Sequence, residues 1–329
     1  MKIAIFNAKS FEIPFLQAVH GHLNYQLDYY ETRLTSQTAT LAKGYTIISC
    51  FVNDELTDST LKILAAQKVK MIALRCAGFN QVDINAAKNY GISITRVPAY
   101  SPYAVAEFAV GLILSLNRKI HRAYWHVREH NFSLNGLLGF DLHQRTIGII
   151  GTGNIGSVFA RIMQGFGCKL LAFDPLPNAE CKRLGVHYVR ELAELYQAAD
   201  IISLHCPLNK QTEHLIDKLA IAQMRPGVML INTSRGGLLD TKAVIQGLKT
   251  KQIGYLGIDV YEEEDKLFFA DRSDTILQDD VFARLETFPN VIITGHQAFF
   301  TREALSNIAQ TTFANIEAFN KGETINRVV

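Results

Sequence analysis

The amino-acid sequence predicts an α/β protein built from two doubly wound parallel-sheet domains. Short runs of β-branched residues alternate with helical stretches along almost the whole chain, which is the pattern of βα units. The chain has 329 residues, more than the roughly 250–300 at which a single hydrophobic core stops growing. The alternation also occurs as two similar series, with no flexible linker near residue 100.

The elements follow one another in a regular order. In the first series, strands are predicted at 2–6, 46–52, 70–76 and 92–97, with helical patterns at 59–67 and 82–90. A long apolar helix follows Pro102 to about residue 116, continues into a polar stretch, and is expected to join the two domains. In the second series, strands are predicted at 146–151, 169–174, 186–189, 200–206, 227–234, 253–260 and 290–295, and a final helix covers 302–320.

The composition excludes several classes of function. The net charge is +2, from 33 basic and 31 acidic residues without a basic cluster, so a nucleic-acid partner is not indicated. The longest apolar stretch, 105–116, is too short to span a membrane. Five cysteines without a CxxC pair indicate reduced thiols and a cytoplasmic protein. His126 and His130 are four residues apart but have no evident third ligand, so no metal is expected.

A glycine-rich turn follows the strand at 146–151 and leads directly into a helix. Gly151, Gly153 and Gly156 form GxGxxG in the context that dinucleotide binding requires. The three glycines provide a tight turn, close approach of the pyrophosphate and close helix–strand packing. The helix that follows offers its N-terminal amides to the phosphates.

An acidic residue ends the next strand, a little over twenty residues after Gly151. Asp174 is placed to accept hydrogen bonds from the ribose hydroxyls of the cofactor. A carboxylate there repels a 2′-phosphate, and Pro175 follows it instead of an arginine. The pattern therefore favours NAD over NADP, and the alternative is a plain glycine turn with a surface aspartate.

Polar side chains follow several strands of the second series, at the edge where ligands bind in open α/β sheets. Arg235 follows one strand, Asp259 and the acidic run 262–265 follow the next, and His296 follows the last. A histidine can donate a proton to the alkoxide that forms when hydride attacks a carbonyl. A guanidinium can hold a carboxylate with two hydrogen bonds. This set suits the reduction of a 2-keto acid.

Each of these residues also has a structural interpretation. Taken singly, His296 could be a hydrogen-bonded structural histidine, and Arg235 could form a salt bridge at a helix terminus. The acidic run would normally be a solvated face, and composition alone does not select its catalytic member. Because all of them follow strands that end at the same edge as the nucleotide motif, the catalytic interpretation is favoured.

Ordered blocks along the whole chain resemble the D-isomer-specific 2-hydroxyacid dehydrogenases, and among them the fermentative D-lactate dehydrogenases. The blocks that carry the resemblance are IALRCAGFNQVDINAAK, RVPAYSP, IIGTGNIG, LLAFDP, ISLHCPL, INTSRGGLLD, GIDVYEEE and ITGHQAFFT. The resemblance implies that Arg235 binds substrate, that His296 is the acid/base, and that Glu264 is the carboxylate paired with it. It also implies cofactor contacts at Asn154, Ile155, Asp174, Cys206, Pro207, Thr233, Ser234 and Asp259.

The resemblance further implies how the chain is divided. Backbone near Ala77 and Gly78, with Tyr100 nearby, would hold the substrate carboxylate. Residues 1–100 and 300–329 would form a flavodoxin-like substrate domain, into which a Rossmann-type nucleotide domain of residues 101–299 is inserted. A homodimer built on the nucleotide domain is expected.

Three functional hypotheses follow. The first is the reversible reduction of pyruvate to D-lactate by NADH, favoured by a small apolar pocket expected from Phe51, Tyr100, Phe299 and Phe300. The second, within the same class, is the reduction of larger 2-keto acids. The third is an NAD-sensing binding protein similar to corepressors of the family, which would not turn over substrate.

Overall fold

A computed structural model describes residues 1–20 and 25–329, and the chain forms two compact units. The first unit combines Met1–Ser101 with Phe300–Val329, and the second is Pro102–Phe299. No helix in the described part of the chain has both the length and the apolar character needed to cross a membrane.

The strands are short and all of them pair in parallel. The first unit contains β1 (Lys2–Ile5), β2 (Gln26–Tyr29), β3 (Ile47–Cys50), β4 (Met71–Leu74) and β5 (Ser93–Thr95). The second unit contains β6 (Thr146–Ile150), β7 (Lys169–Phe173), β8 (His187–Tyr188), β9 (Ile201–Leu204), β10 (Val228–Asn232), β11 (Ile253–Ile258) and β12 (Val291–Ile293).

Helices connect the strands of both units. They are α1 (Ile13–His20), α2 (Asp58–Ala66), α3 (Ile84–Asn89), α4 (Pro102–Arg118), α5 (Ile120–Arg128), α6 (Asn154–Gly165), α7 (Ala179–Arg183), α8 (Leu192–Ala198), α9 (Lys218–Gln223), α10 (Thr241–Lys249), α11 (Asp280–Glu286) and α12 (Arg302–Asn320). The first unit contains α1–α3 and α12, and the second contains α4–α11.

The first sheet has the strand order β2-β1-β3-β4-β5, with apolar layers on both faces. Ile3 and Ile5 of β1 pack on one face with Phe313 of α12, while Ala4 packs on the other face with Ile48 and its neighbours. Strands buried on both faces need continuous apolar runs, and such runs are what made β1, β3 and β4 recognisable.

The second sheet has the strand order β12-β11-β10-β9-β6-β7-β8. From β6 the chain runs outwards to β7 and β8, then returns to the other side of β6 at β9, so the order reverses between β6 and β9. In open α/β sheets the crevice beyond the carboxyl ends at such a reversal binds ligands. The predicted fold class, with two parallel-sheet α/β units, is confirmed.

Two local features differ from the sequence prediction. Strand β2 was not predicted, because QLDY has no β-branched residue and lies partly exposed at the sheet edge. The long helix after Pro102 is two helices, because Lys119 between them has φ = 51°, in the left-handed region. All seven predicted strands of the second series are present.

Candidate active site

The glycine-rich turn between β6 and α6 is packed too closely for side chains at two of its positions. Gly151 has φ = 93°, and a Cβ there would lie 2.6 Å from the backbone nitrogen of Cys206. A Cβ on Gly156 would lie 2.0 Å from the carbonyl oxygen of Gly151. At Gly153, by contrast, a Cβ would meet nothing within 4 Å in the described chain. The open face of the turn is therefore at Gly153.

The first turn of α6 begins at Asn154 and Ile155, and its amides donate no hydrogen bond to a capping side chain because the N-cap is Gly153. Amide donors at a helix start that no side chain satisfies, together with the positive end of the helix dipole, form a binding site for anions. The open face at Gly153 and these donors fit the pyrophosphate of a dinucleotide.

Asp174, at the end of β7, is held by a hydrogen-bond network. Its Oδ2 accepts from the backbone nitrogen of Thr152 at 2.6 Å and from Thr152 Oγ1 at 3.1 Å, and its Oδ1 accepts from Leu176 N at 2.8 Å. Thr152 Oγ1 also accepts from the hydroxyl of Tyr188 at 2.9 Å, and Asn178 Nδ2 donates to the Thr152 carbonyl at 3.0 Å. The carboxylate is thereby fixed next to the glycine turn.

The loops after β9 and β10 are joined to each other. Ser234 Oγ donates to the carbonyl of Cys206 at 2.7 Å, immediately before Pro207. The hydroxyl of Thr233 is buried and has no hydrogen-bond partner within residues 1–20 and 25–329. Burial raises the pKa of the Cys206 thiol to about 11, so this cysteine is protonated at neutral pH and is a poor nucleophile.

His205 lies at the end of β9 but is not suited to proton transfer. Its Nε2 is 2.9 Å from Ser203 Oγ, and its ring packs on Phe159 at 4.8 Å between centroids. Desolvation lowers the pKa of His205 to about 3. The imidazole is therefore neutral at physiological pH and has a structural role beneath the glycine turn.

Arg235 follows β10 on a turn that is fixed by Asn232. The Asn232 side chain accepts from Ser234 N at 3.0 Å and donates to the Arg235 carbonyl at 2.8 Å. Nη1 of the guanidinium donates to the Ser234 carbonyl at 2.6 Å. Its other N–H groups make no hydrogen bond to any residue that the structure describes, which leaves donors for an anionic ligand.

His296 and Glu264 form a hydrogen-bonded pair. Nδ1 of His296 lies 2.7 Å from Oε1 of Glu264, and both side chains are largely buried. The second oxygen of Glu264 accepts from Tyr261 N at 3.0 Å. The rings of Phe269 and Phe299 lie 5.6 Å and 6.4 Å from the imidazole. Nε2 has no partner among the residues described, so it is the ring nitrogen available to a substrate.

The segment that carries His296 is anchored by Asp259. This fully buried carboxylate accepts from Thr294 Oγ1 at 2.5 Å, Gln297 N at 2.9 Å and Ala298 N at 2.8 Å. The Asp259 carbonyl accepts from His296 N at 2.7 Å, and the backbone of His296 has φ = 52°. Desolvation raises the pKa of Asp259, and the hydrogen bonds that this carboxylate accepts offset only part of the rise. Contact between Asp259 and a cofactor stays a prediction.

Arg235, Glu264 and His296 follow β10, β11 and β12, which are neighbouring parallel strands. Because parallel strands end at the same edge, all three side chains stand at the carboxyl edge of the second sheet. The glycine turn follows β6 at that same edge, two strands from β10. The second unit therefore places a guanidinium, a carboxylate–imidazole pair and a dinucleotide loop along one edge.

The predicted carboxylate-binding backbone lies in the first unit, after β4. The Ala77 carbonyl accepts from Arg96 Nη1 at 2.8 Å, and the Gly78 carbonyl accepts from Cys76 Sγ at 3.1 Å. The amides of Ala77 and Gly78 donate to no other residue in the described parts of the chain. Tyr100 is fixed through its carbonyl, which accepts from Asn307 Nδ2 at 2.6 Å.

Several residues of this arrangement were not found from the sequence. Tyr188 and Asn178 orient the Asp174 region, and Thr294 supports Asp259, but none of them belongs to a motif of known spacing. Asn178 carried one signal: an asparagine just before a helix is a good N-cap, and its side chain caps α7. Its second contact, with Thr152, depends on the fold.

The sequence matches the family model for the NAD-binding domain of D-isomer-specific 2-hydroxyacid dehydrogenases over residues 110–298. The chain belongs to this family. NAD is the cofactor of the domain, and the open face of the turn at Gly153, the donors of α6 and the fixed Asp174 fit it.

Relatives within the family are similar over the whole chain. The D-lactate dehydrogenase of Escherichia coli is 50% identical over 324 residues, covering 98% of each chain. The structure of D-lactate dehydrogenase from Aquifex aeolicus, complexed with NAD and lactic acid, is 34% identical with a TM-score of 0.87, covering 98% of this chain and 96% of that one. A D-2-hydroxyisocaproate dehydrogenase is 31% identical with a TM-score of 0.86, covering 100% and 99%.

Proposed function

We propose that this 2-hydroxyacid dehydrogenase reduces pyruvate to D-lactate, reversibly, with NADH as the reductant and His296 as the acid/base. The observation that carries the proposal is the 2.7 Å contact of His296 Nδ1 with Glu264 at the strand edge that also presents Arg235. Similarity to enzymes named D-lactate dehydrogenase supports the choice of substrate and its stereochemistry.

Each side chain has a defined task in the proposed reaction. Arg235 binds the substrate carboxylate through its unused guanidinium donors. His296 Nε2 donates a proton to the carbonyl oxygen as charge develops there. Glu264 stabilises the imidazolium and keeps Nδ1 protonated. Bound NADH supplies the hydride, so that pyruvate, NADH and one proton give D-lactate and NAD⁺.

The proposed tasks divide between the two units. Residues 1–100 and 300–329 form the substrate domain, and residues 101–299 bind NAD and also carry Arg235, Glu264 and His296. Asn154 and Ile155 hold the pyrophosphate, Asp174 accepts the ribose hydroxyls, and the backbone of Cys206, Pro207, Thr233 and Ser234 lines the cofactor path. The carboxylate of Asp174 makes NADP the poorer cofactor, because it would face a 2′-phosphate.

Larger 2-keto acids are the alternative substrates, and similarity to a D-2-hydroxyisocaproate dehydrogenase favours them. The aromatic residue after β3, Phe51, favours the smaller substrate. Phe51 is buried, and its ring lies 6.4 Å from Phe11 and 5.8 Å from the Arg75 guanidinium, which limits its freedom to yield to a bulky side chain.

An NADH absorbance assay with pyruvate, phenylpyruvate and 2-ketoisocaproate tests the proposal, with chiral analysis of the product. We expect pyruvate to have the highest kcat/KM and the product to be D-lactate. A preference for a bulky acid would mean that the substrate is a larger 2-keto acid, reduced by the same chemistry. NADH that binds but is consumed with none of the acids would favour an NAD-sensing binding protein instead.

We further propose that the protein is a homodimer formed through the surface around α5. This helix has no buried residue. Apolar side chains that are 54% to 88% exposed cluster on it and on the segment that follows: Ile120, Tyr124, Trp125, Val127, Phe132, Leu134 and Leu138. An exposed apolar cluster of this kind is typical of an interface between subunits. Light scattering should give a dimer mass that Trp125→Glu lowers, and a monomeric wild type would contradict the proposal.

A further inference from the structure

The acidic run after β11 contains a second carboxylate with specific partners, Glu262, which the proposed mechanism does not use. Its Oε1 lies 2.6 Å from Nε2 of His214. Its Oε2 accepts from Thr241 N at 3.1 Å and also from the Thr241 hydroxyl. The Glu262 side chain is 25% exposed, so it is not the solvated surface acid that its sequence context suggests.

These contacts join three loops of the second unit. His214 lies in the loop after β9, Thr241 begins α10 after the Arg235 turn, and Glu262 lies in the loop after β11. The backbone of the same loops is in contact as well. His214 N donates to the Gly237 carbonyl at 2.8 Å, and a Cβ on Gly236 would lie 2.1 Å from the carbonyl carbon of Tyr261.

The backbone of Tyr261 therefore lies between the two functional groups. On one side it presses on Gly236, the residue directly after Arg235. On the other side, Tyr261 N donates to Oε2 of Glu264, whose other oxygen contacts His296. The backbone of Tyr261 thus connects the loop of Glu264 to the turn of Arg235.

We propose that Glu262 is a positioning residue, which through its ion pair with His214 and its hydrogen bonds to Thr241 holds the loop of Glu264 against the turn of Arg235. The proposal rests on the proposed function, since it assigns Glu262 the task of maintaining the relative positions of Arg235, which binds the substrate carboxylate, and the His296–Glu264 pair, which donates the proton. Displacements of about 1 Å at such groups lower rates by roughly 100-fold.

The charges around His214 make part of this effect depend on pH. The hydrogen bond to Glu262 raises the pKa of His214, desolvation opposes the rise, and the charges of Glu262, Asp240 and Glu213 add to it. A raised pKa means that the ion pair is complete below the ordinary value of about 6.5. It is lost as the pH rises through the higher value in the folded protein.

Glu262→Gln is the principal test, because glutamine can still accept from Thr241 but cannot form the ion pair. We expect kcat/KM for pyruvate to fall roughly 10- to 100-fold, with the NADH dissociation constant and the melting temperature unchanged. Glu263→Gln removes the same charge from the next residue of the loop and is expected to leave kcat/KM within about twofold of wild type.

His214→Gln and the double variant test the pairing itself. The double variant should lose no more activity than Glu262→Gln alone, because the two residues act through one contact. The ratio of kcat/KM between wild type and His214→Gln should be largest below the pKa of His214 and approach one as the pH rises.

The outcomes separate the two proposals. A wild-type protein that reduces none of the 2-keto acids overturns the proposed function and this inference with it. Wild-type activity that Glu262→Gln leaves unchanged overturns the inference alone, as does a fall that Glu263→Gln reproduces. If Glu262→Gln does not fold, the His214→Gln ratio decides, and a ratio of one at every pH rejects the positioning role.

Discussion

Glu264 Oε1 lies 2.7 Å from His296 Nδ1, and this contact determines which ring nitrogen is free. A carboxylate beside Nδ1 keeps the proton there, so the chemistry of the imidazole is confined to Nε2. In the proposed reaction, Nε2 carrying a proton donates it during reduction, and Nε2 without a proton accepts one during oxidation. The same pair therefore suits both directions of the reaction.

Replacement of this imidazole should abolish most of the turnover. His296→Asn retains a polar side chain but has no group that titrates near neutral pH. We expect kcat for pyruvate to fall by two or more orders of magnitude, in line with the roughly 10²–10⁴-fold contribution of general acid catalysis. NADH binding measured by fluorescence serves as the control and should be unchanged. Near-normal turnover would mean that another group donates the proton.

Arg235→Gln tests the carboxylate clamp. Glutamine keeps a donor but loses the charge and the fork of the guanidinium. Hydrogen bonds to charged groups contribute about 1.5–3 kcal/mol, so kcat/KM should fall roughly 10- to 150-fold, mainly through a higher KM. Steady-state kinetics at saturating NADH measures the effect. An unchanged KM for pyruvate would show that the substrate carboxylate binds elsewhere.

Two glycine substitutions in the same turn should have different effects, one on cofactor binding and the other on stability. Gly153→Ala should fold normally, since its Cβ has no neighbour within 4 Å, but it should weaken NADH binding because the methyl group occupies the approach of the pyrophosphate. Gly156→Ala should lower the melting temperature, because its Cβ would meet the Gly151 carbonyl. Calorimetry and thermal melts separate the two effects. Equal NADH affinity in Gly153→Ala and wild type would exclude this face as the pyrophosphate site.

Asp174→Ala should change the choice of cofactor. The variant loses the acceptor of the ribose hydroxyls and the charge that repels a 2′-phosphate, so NADH affinity should fall roughly tenfold or more and NADPH should become a comparable substrate. The ratio of kcat/KM for the two cofactors measures the outcome. If the ratio matches that of wild type, Asp174 has only its structural contacts with Thr152 and Leu176.

His205 should make the protein sensitive to acid. Its pKa of about 3 in the folded protein is below the unfolded value of about 6.5, so the unfolded chain binds an extra proton between these values. The corresponding stability is present above pH 6.5 and is lost as the pH falls. Between pH 7 and pH 5 this costs about 2 kcal/mol.

The test compares urea unfolding at the two pH values. His205→Gln can keep the hydrogen bond to Ser203 but does not titrate, so its stability should depend less on pH than that of wild type by about this amount. The same pH dependence in both proteins would mean that the imidazole takes up its proton in the folded state.

The sequence was most informative where burial constrained it. The strands of the second sheet have apolar layers on both faces, so their composition marked them, and the residues after β10, β11 and β12 had to meet at one edge. The half-exposed strand β2 carried no such signal. The break between α4 and α5 depends on the positive φ of Lys119, and a lysine in the sequence does not predict a positive φ.

Contacts between distant segments were harder to predict than the groups they support. The acidic run 262–265 suggested solvated carboxylates, and only the resemblance to known dehydrogenases selected Glu264. The partners of Glu262 lie 48 and 21 residues away, on loops whose approach depends on the close packing of Gly236. Such relationships follow from the assembled sheet rather than from local spacing.

The start of α6 has a thermodynamic consequence for the whole nucleotide-binding unit. In the proposed function its first amides donate to the cofactor phosphates rather than to a side chain. Cofactor binding and folding are then linked, and bound dinucleotide adds RT ln(1 + [L]/Kd) to the free energy of unfolding. Destabilising substitutions elsewhere in this unit would thus be masked while the dinucleotide is abundant. Once the dinucleotide concentration falls below Kd, such substitutions would become detectable as faster proteolysis.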